Sequence, residues 1–118
     1  MMKHILLVED NEDIQLSLRD ALEEDGAYSV VTAGNGAEAL ALLERGERPN
    51  MMLVDLLMPV MDGVELIDRM RRDARFAGIP VVVLSAASIT SPPPGTPLLR
   101  KPIRYEALLG AVQKACGC

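Results

Sequence analysis

The sequence predicts an α/β fold, a doubly wound parallel sheet assembled from β-α units, and three observations carry that expectation. Short continuous apolar runs alternate along the chain with longer stretches of helical spacing. Three of the short runs lack polar alternation, as strands covered by helices on both faces should. Gly, Pro and Asp punctuate the junctions.

Taken in order, the strand candidates are Ile5-Leu6-Leu7-Val8, Tyr28 to Ala33, Met51-Met52-Leu53-Val54, Val81-Val82-Val83-Leu84 and a weaker Leu98-Leu99. After the first, Asn11 can cap a helix with Glu12 and Asp13 in its first turn, Ile14, Leu18, Ala21 and Leu22 on one face, and Gly26 as its stop. Asn35 can cap a second, in which Ala39, Leu40 and Leu43 share a face before Gly46 and Pro49. Leu66, Ile67 and Met70 mark a third after Gly63, with Arg71 and Arg72 suited to its end. The cleanest period belongs to the last helix, where Leu108, Ala111, Val112 and Ala115 follow Lys101-Pro102. Between the fourth and fifth strands, Ala86 to Pro97 is interrupted by Ser91-Pro92-Pro93-Pro94-Gly95, which cannot continue a helix. A short helical turn or an irregular loop is expected there, so the helix that would be fourth in the chain is short or absent.

A chain of 118 residues has the length of one domain, and 1–118 is read as one. With 49% hydrophobic and 25% charged residues, the composition is that of a folding, globular chain. The net charge of -5 and the lack of a Lys/Arg stripe argue against direct nucleic-acid binding. The apolar run Ile5 to Val8 is too short for a signal peptide or a membrane span, so no membrane association and a cytoplasmic location are expected. Cys116 and Cys118 lack a nearby His or Cys to complete a zinc site and read as a reduced, frayed tail.

Chemistry concentrates at the carboxyl ends of the strands. Glu9 and Asp10 follow the first, Asp55 ends the third, Ser85 follows the fourth and Lys101 follows the weak fifth. If the first and third strands flank the switch point of a doubly wound sheet, three carboxylates converge in its crevice. Like charges so placed raise one another's pKa and favour a hard divalent cation, Mg²⁺ above all. A carboxylate nucleophile, a metal, a hydroxyl donor and a fixed cation are the parts phosphoryl transfer needs, with an aspartyl phosphate as product. Each residue alone has an ordinary alternative: Glu9-Asp10-Asn11 as a helix start, Asp55 as a turn residue, Ser85 as a loop serine. Their joint placement at four strand ends is what outweighs those readings.

Val8-Glu9-Asp10-Asn11, Val54-Asp55-Leu56-Leu57-Met58-Pro59-Val60-Met61-Asp62-Gly63, Leu84-Ser85-Ala86 and Lys101-Pro102-Ile103 resemble, in the same order, the signature of the receiver domains of two-component response regulators. The resemblance spans nearly the whole chain. It implies a flavodoxin-like five-stranded sheet of order 2-1-3-4-5 with helices on both faces. It also implies Asp55 as phospho-acceptor, Mg²⁺ held directly by Asp10, Asp55 and the backbone carbonyl of Leu57, Glu9 holding metal waters, and Ser85 and Lys101 contacting the phosphoryl group. No organic cofactor and no enzymatic activity are implied beyond the domain's own phosphorylation and dephosphorylation.

Two departures bear on signalling. The family usually carries an aromatic three residues before the Lys, and Leu98 stands there; the family's fourth helix, part of its partner surface, meets Pro92-Pro93-Pro94-Gly95. The leading function is a phosphorelay receiver that takes its phosphoryl group from a histidine kinase or phosphotransfer protein. With no effector domain after Cys118 it acts by docking on a downstream protein, or is an excised part of a longer one. The alternative is a receiver-like interaction module independent of phosphorylation. Cognate kinase, output partner and oligomeric state are not legible in the sequence.

Overall fold

Central strands with apolar side chains on every position need cover on both faces, and the computed structural model, which describes residues 2–24, 26–86 and 92–117, shows that cover. The elements run β1 (Lys3–Val8), α1 (Glu12–Glu23), β2 (Tyr28–Ala33), α2 (Gly36–Glu44), β3 (Met51–Asp55), α3 (Gly63–Arg71), β4 (Val81–Ser85), β5 (Leu98–Arg100) and α4 (Tyr105–Ala115). All strands are parallel, in the order β2-β1-β3-β4-β5. The expected doubly wound, flavodoxin-like sheet is thus the one observed.

The two-residue period of each strand sorts the core into two halves. Leu6, Val8, Met52, Val54 and Val83 pack against Ala39 and Leu43 of α2 and Leu66, Ile67 and Met70 of α3. Ile5, Leu7, Met51, Leu53, Val82 and Leu84 pack on the other side against Leu18 and Leu22 of α1 and Leu108 and Val112 of α4. Burying each such side chain contributes about 1.5–3 kcal/mol, which is why the sheet, and not helix propensity, fixes the architecture. Met51 and Met52 are fully buried core residues, one on each side.

Local signals agree with that packing. Asn11 accepts from the Ile14 N–H at 3.0 Å, Asn35 from the Glu38 N–H at 2.9 Å and Asp62 from the Glu65 N–H at 2.9 Å, each satisfying an orphan donor of a first turn. α4 starts at Arg104 with no side-chain cap. Past α2, Gly46 at φ +113° takes a conformation open to glycine, so the chain leaves the helix there. At the β2 edge Glu23 turns back and accepts the Val30 N–H at 3.0 Å, which blunts an otherwise open strand.

Between β4 and β5 the described residues, Ala86 and 92–97, form no helix; Pro94-Gly95 is a turn, and Thr96 donates through both its N–H and its hydroxyl to the Pro93 carbonyl. Arg71, at the end of α3, donates to the Pro94 carbonyl at 2.5 Å. The expectation of a short turn within Ala86–Pro97 falls largely on residues 87–91, which lie outside the described residues. One sequence reading needs correction. Cys116 is not a frayed tail residue: it is the C-cap of α4, its N–H bonded to the Val112 carbonyl at 2.9 Å and its side chain packed on the α1/α4 side of the sheet. A helix end with a hydrophobic partner stays docked, whereas composition alone suggested a loose tail. Cys118 lies outside the described residues.

Candidate functional site

β1 and β3 are neighbours in register, Val8 beside Val54, so the residues just beyond them meet at one sheet edge. Glu9, Asp10 and Asp55 bring one carboxylate oxygen each to within 4.8 Å of one another. Glu9 and Asp55 are buried, at 0% and 4% exposure, while Asp10 faces solvent. Lys101 reaches in from the end of β5 and binds both buried acids, Nζ lying 2.7 Å from Glu9 Oε1 and 3.2 Å from Asp55 Oδ2. The second oxygens are also engaged: Glu9 Oε2 accepts the Asn11 N–H at 3.1 Å, and Asp55 Oδ1 accepts the Leu57 N–H at 3.3 Å.

One ammonium therefore serves two buried carboxylates with a third close by, and the cluster is short of positive charge. Burial pushes Glu9 up to about 7 against the pull of Lys101 and of the Asn11 N–H, and the charge of Asp55 pushes the same way. At Lys101 partial burial works against the charge, but the hydrogen bond to Glu9 and the fields of both acids outweigh it and raise its pKa. Three hard oxygen donors with one acid open to solvent fit a small divalent cation that keeps some of its waters, and such an ion would supply the missing charge.

In the unfolded chain Glu9 titrates near 4.5 and in the fold near 7, so the folded state holds the proton more tightly. Its contribution is complete below about 4.5 and is lost as pH rises through about 7. In EDTA the melting temperature is therefore expected to fall by several degrees between pH 5 and pH 8, and Glu9→Gln to flatten that fall. Scanning calorimetry of both proteins over that range checks it; an unchanged slope in Glu9→Gln would assign the effect to other groups.

Ser85 is fully buried at the end of β4, its carbonyl accepting the Lys101 N–H at 2.8 Å, which ties the serine to the same edge. Its hydroxyl donates to the Ala86 carbonyl at 2.8 Å. Leu57 has an exposed side chain and gives its N–H to Asp55. The structure thus brings Glu9, Asp10, Asp55 and Lys101 into one group, with Ser85 and Leu57 at its margin.

The β3–α3 loop that carries Leu57 is closed by the Gly63 N–H on the Leu56 carbonyl at 3.1 Å and held from the side by the Gly36 N–H on the Met61 carbonyl at 2.9 Å. Met58 packs against the core, as an anchor of that loop should. Val60 sits at its tip, 83% exposed, at φ +68°. A β-branched residue in that region costs about 1–2 kcal/mol, and glycine gives back part of the relief through its looser unfolded chain. Val60→Gly is expected to stabilise the protein by about 1 kcal/mol in urea unfolding; a loss of stability would show that the loop is unstrained.

Sequence reasoning missed two participants. Gln15 of α1 donates through Nε2 to the Glu9 carbonyl, and also to the Ala33 carbonyl at 3.4 Å. Gly63 packs so closely that its neighbours leave no room for a side chain. The only signal for Gln15 was its place one helical turn after Asn11, and Gly63 was read as a helix start and as the end of a family motif, not for its close packing.

An acidic, lysine-bridged cluster at the carboxyl edge of a parallel 2-1-3-4-5 sheet stands at the switch point, where doubly wound folds bind their ligands. The chain belongs to the response regulator receiver domain family, whose model matches residues 5–92. Among curated proteins it is 44% identical over 82 residues to the sensor histidine kinase TmoS of Ectopseudomonas mendocina, covering 70% of this chain and 8% of that kinase. The chain spans less than two thirds of the length of this and the next curated relatives it matches. Among solved structures it superposes on a response regulator from Chloroflexus aurantiacus with a TM-score of 0.91 at 26% identity, covering 100% of both chains. It superposes on the receiver domain of the histidine kinase PA1611 from Pseudomonas aeruginosa with a TM-score of 0.89 at 27% identity, again covering 100% of both; that structure has magnesium coordinated in its active-site cleft.

The chain is accordingly a receiver domain of the kind found in two-component response regulators and histidine kinases. Among the described residues no helix is long and apolar enough to cross a membrane.

Proposed function

We propose that Asp55 accepts a phosphoryl group from a histidine kinase or phosphotransfer protein, and that the resulting aspartyl phosphate controls docking on a downstream protein. The observation that carries this is the sharing of Lys101 between Glu9 and Asp55, with Asp10 beside them. An Asp55 carboxylate oxygen attacks the phosphorus of the donor, a new P–O bond forms, the donor's P–N bond breaks, and the imidazole leaves with the electron pair and a proton from solvent. Asp10 and Asp55, with the Leu57 carbonyl, would hold Mg²⁺, and Glu9 would hold its waters. That ion, when bound, supplies charge neutralisation for the transferring group.

Lys101 stands where it can move from the two carboxylates to a phosphoryl oxygen, since its partners already place its ammonium between them. Ser85 can exchange its bond to the Ala86 carbonyl for one to the phosphoryl group, at the cost of an exposed or water-bound carbonyl. On this reading the chemistry is limited to the domain's own phosphorylation and dephosphorylation, residues 1–118 form one receiver domain, and the protein works in the cytoplasm. Leu98, half-buried against the α2/α3 side of the sheet, is the observation that favours the second reading, an interaction module that no longer signals through phosphorylation.

Intact mass after incubation with acetyl phosphate and Mg²⁺ separates the two. The expected result is one phosphoryl adduct, absent in Asp55→Ala and absent with EDTA. A folded protein that binds Mg²⁺ and gains no adduct would favour the interaction module.

A further inference from the structure

Glu9 is held at every polar atom, and one of its partners is a side chain of α1, Gln15, that belongs to no part of the acid cluster. Its side chain is fixed by Lys101 and the Asn11 N–H, and its own N–H donates to the Ala33 carbonyl at 3.0 Å. Its carbonyl accepts from Gln15, whose amide also reaches the Ala33 carbonyl at 3.4 Å. The β1–β2 pairing ends at Val8 and Ala33, and the Glu9 N–H still bonds the Ala33 carbonyl, so it is the Glu9 carbonyl, past the ladder, that needs a donor from elsewhere. A primary amide with two hydrogens meets that need with one side chain.

The Glu9 carbonyl belongs to the peptide unit that joins Glu9 to Asp10. Fixing that plane fixes which way the two carboxylates leave the chain, Glu9 inward at 0% exposure and Asp10 outward. A peptide free to rotate would scatter Asp10 relative to Asp55 and loosen the triad of oxygens.

We infer that Gln15 is a positioning residue for the divalent cation: by clamping the Glu9–Asp10 peptide through its amide, it sets the affinity of the acidic cluster for metal. The inference rests on the metal site of the proposed function. Gln15 touches neither the metal oxygens nor the acceptor, so its effect must travel through the backbone. Residues that hold ligands in place in this manner typically change metal affinity by about 10–100-fold when removed.

The test is titration of the protein with Mn²⁺ in place of Mg²⁺, following the paramagnetic resonance signal of the free ion. Gln15→Met keeps length and helix propensity but loses both donors, and its dissociation constant is expected to rise about tenfold. Gln15→Asn keeps the amide but shortens its reach, and is expected to shift in the same direction; it decides the matter should the methionine variant fail to fold. Ala21→Gly weakens the same helix away from the site, and is expected to stay within about twofold of the wild type, which separates positioning from general loss of stability. Wild-type affinity in folded Gln15→Met would overturn the inference while leaving the metal site standing. No Mn²⁺ binding by the wild type would overturn the site and the inference together.

Discussion

Gly63→Ala is expected to destabilise the protein by about 3 kcal/mol and to disable the site with it. A Cβ at position 63 would lie 2.4 Å from the Asp55 carbonyl oxygen, 2.9 Å from the Leu56 Cα and 3.0 Å from Val54 Cγ1. The first two are backbone atoms at the end of the strand that carries the acceptor and of the residue just past it, so no side-chain rotation relieves the clash. Alanine gains at most about 1 kcal/mol over glycine in a helix, and less at the first helical position, whereas forcing a methyl into packed backbone costs about 1–3 kcal/mol or more. Sterics win, and the chain relieves them by moving α3 away from β3. That motion breaks the Gly63 N–H bond to the Leu56 carbonyl and shifts Asp55 relative to Lys101. Urea unfolding reads the loss of stability and Mn²⁺ titration the loss of the site; a variant as stable as the wild type would mean that α3 does not press on β3 as described.

The second large effect belongs to Lys101. In EDTA at neutral pH, Lys101→Ala is expected to cost about 2–3 kcal/mol, because Glu9 and Asp55 lose their shared cation while staying buried. Removing one partner of a fully buried pair costs about 3–5 kcal/mol, and the figure is lowered here because the lysine side chain keeps 22% of its exposure. A divalent cation should recover more stability in the variant than in the wild type, since it then supplies positive charge that the lysine no longer gives, and a lower pH should help because it neutralises the acids. Chemical denaturation with and without Mg²⁺ checks this. Equal responses to Mg²⁺ in the two proteins would show that the lysine and the metal do not answer the same charge deficit.

How legible all this was depends on the kind of interaction. Patterns fixed by a period or a cap were readable: the all-apolar runs of β1, β3 and β4, the caps at Asn11 and Asn35, and the buried face of α4 all stand where the spacing placed them. The placement of Glu9, Asp10, Asp55 and Lys101 at strand ends was readable too, because a parallel sheet brings all carboxyl ends to one edge. What the residues alone did not reveal were contacts made by main-chain atoms that a fold creates. The Glu9 carbonyl that Gln15 serves, the Asp55 carbonyl that Gly63 grazes and the Val30 N–H that Glu23 covers have no signature in residue type. Asp62, read as part of a motif, turned out also to cap α3, and Cys116, read as tail, caps α4. The resemblance to a known family supplied the strand order, which periodicity cannot give.

Which residue carries the phosphoryl group can be read by trapping the acyl phosphate chemically. After phosphorylation with acetyl phosphate and Mg²⁺, borohydride reduces an acyl phosphate to the alcohol, and peptide mass mapping locates the reduced side chain. The expected result is a single homoserine in place of Asp55, absent when EDTA is present during phosphorylation. Reduction at Glu9 or Asp10 instead, or an adduct that resists borohydride, would contradict the assignment of Asp55 as the acceptor.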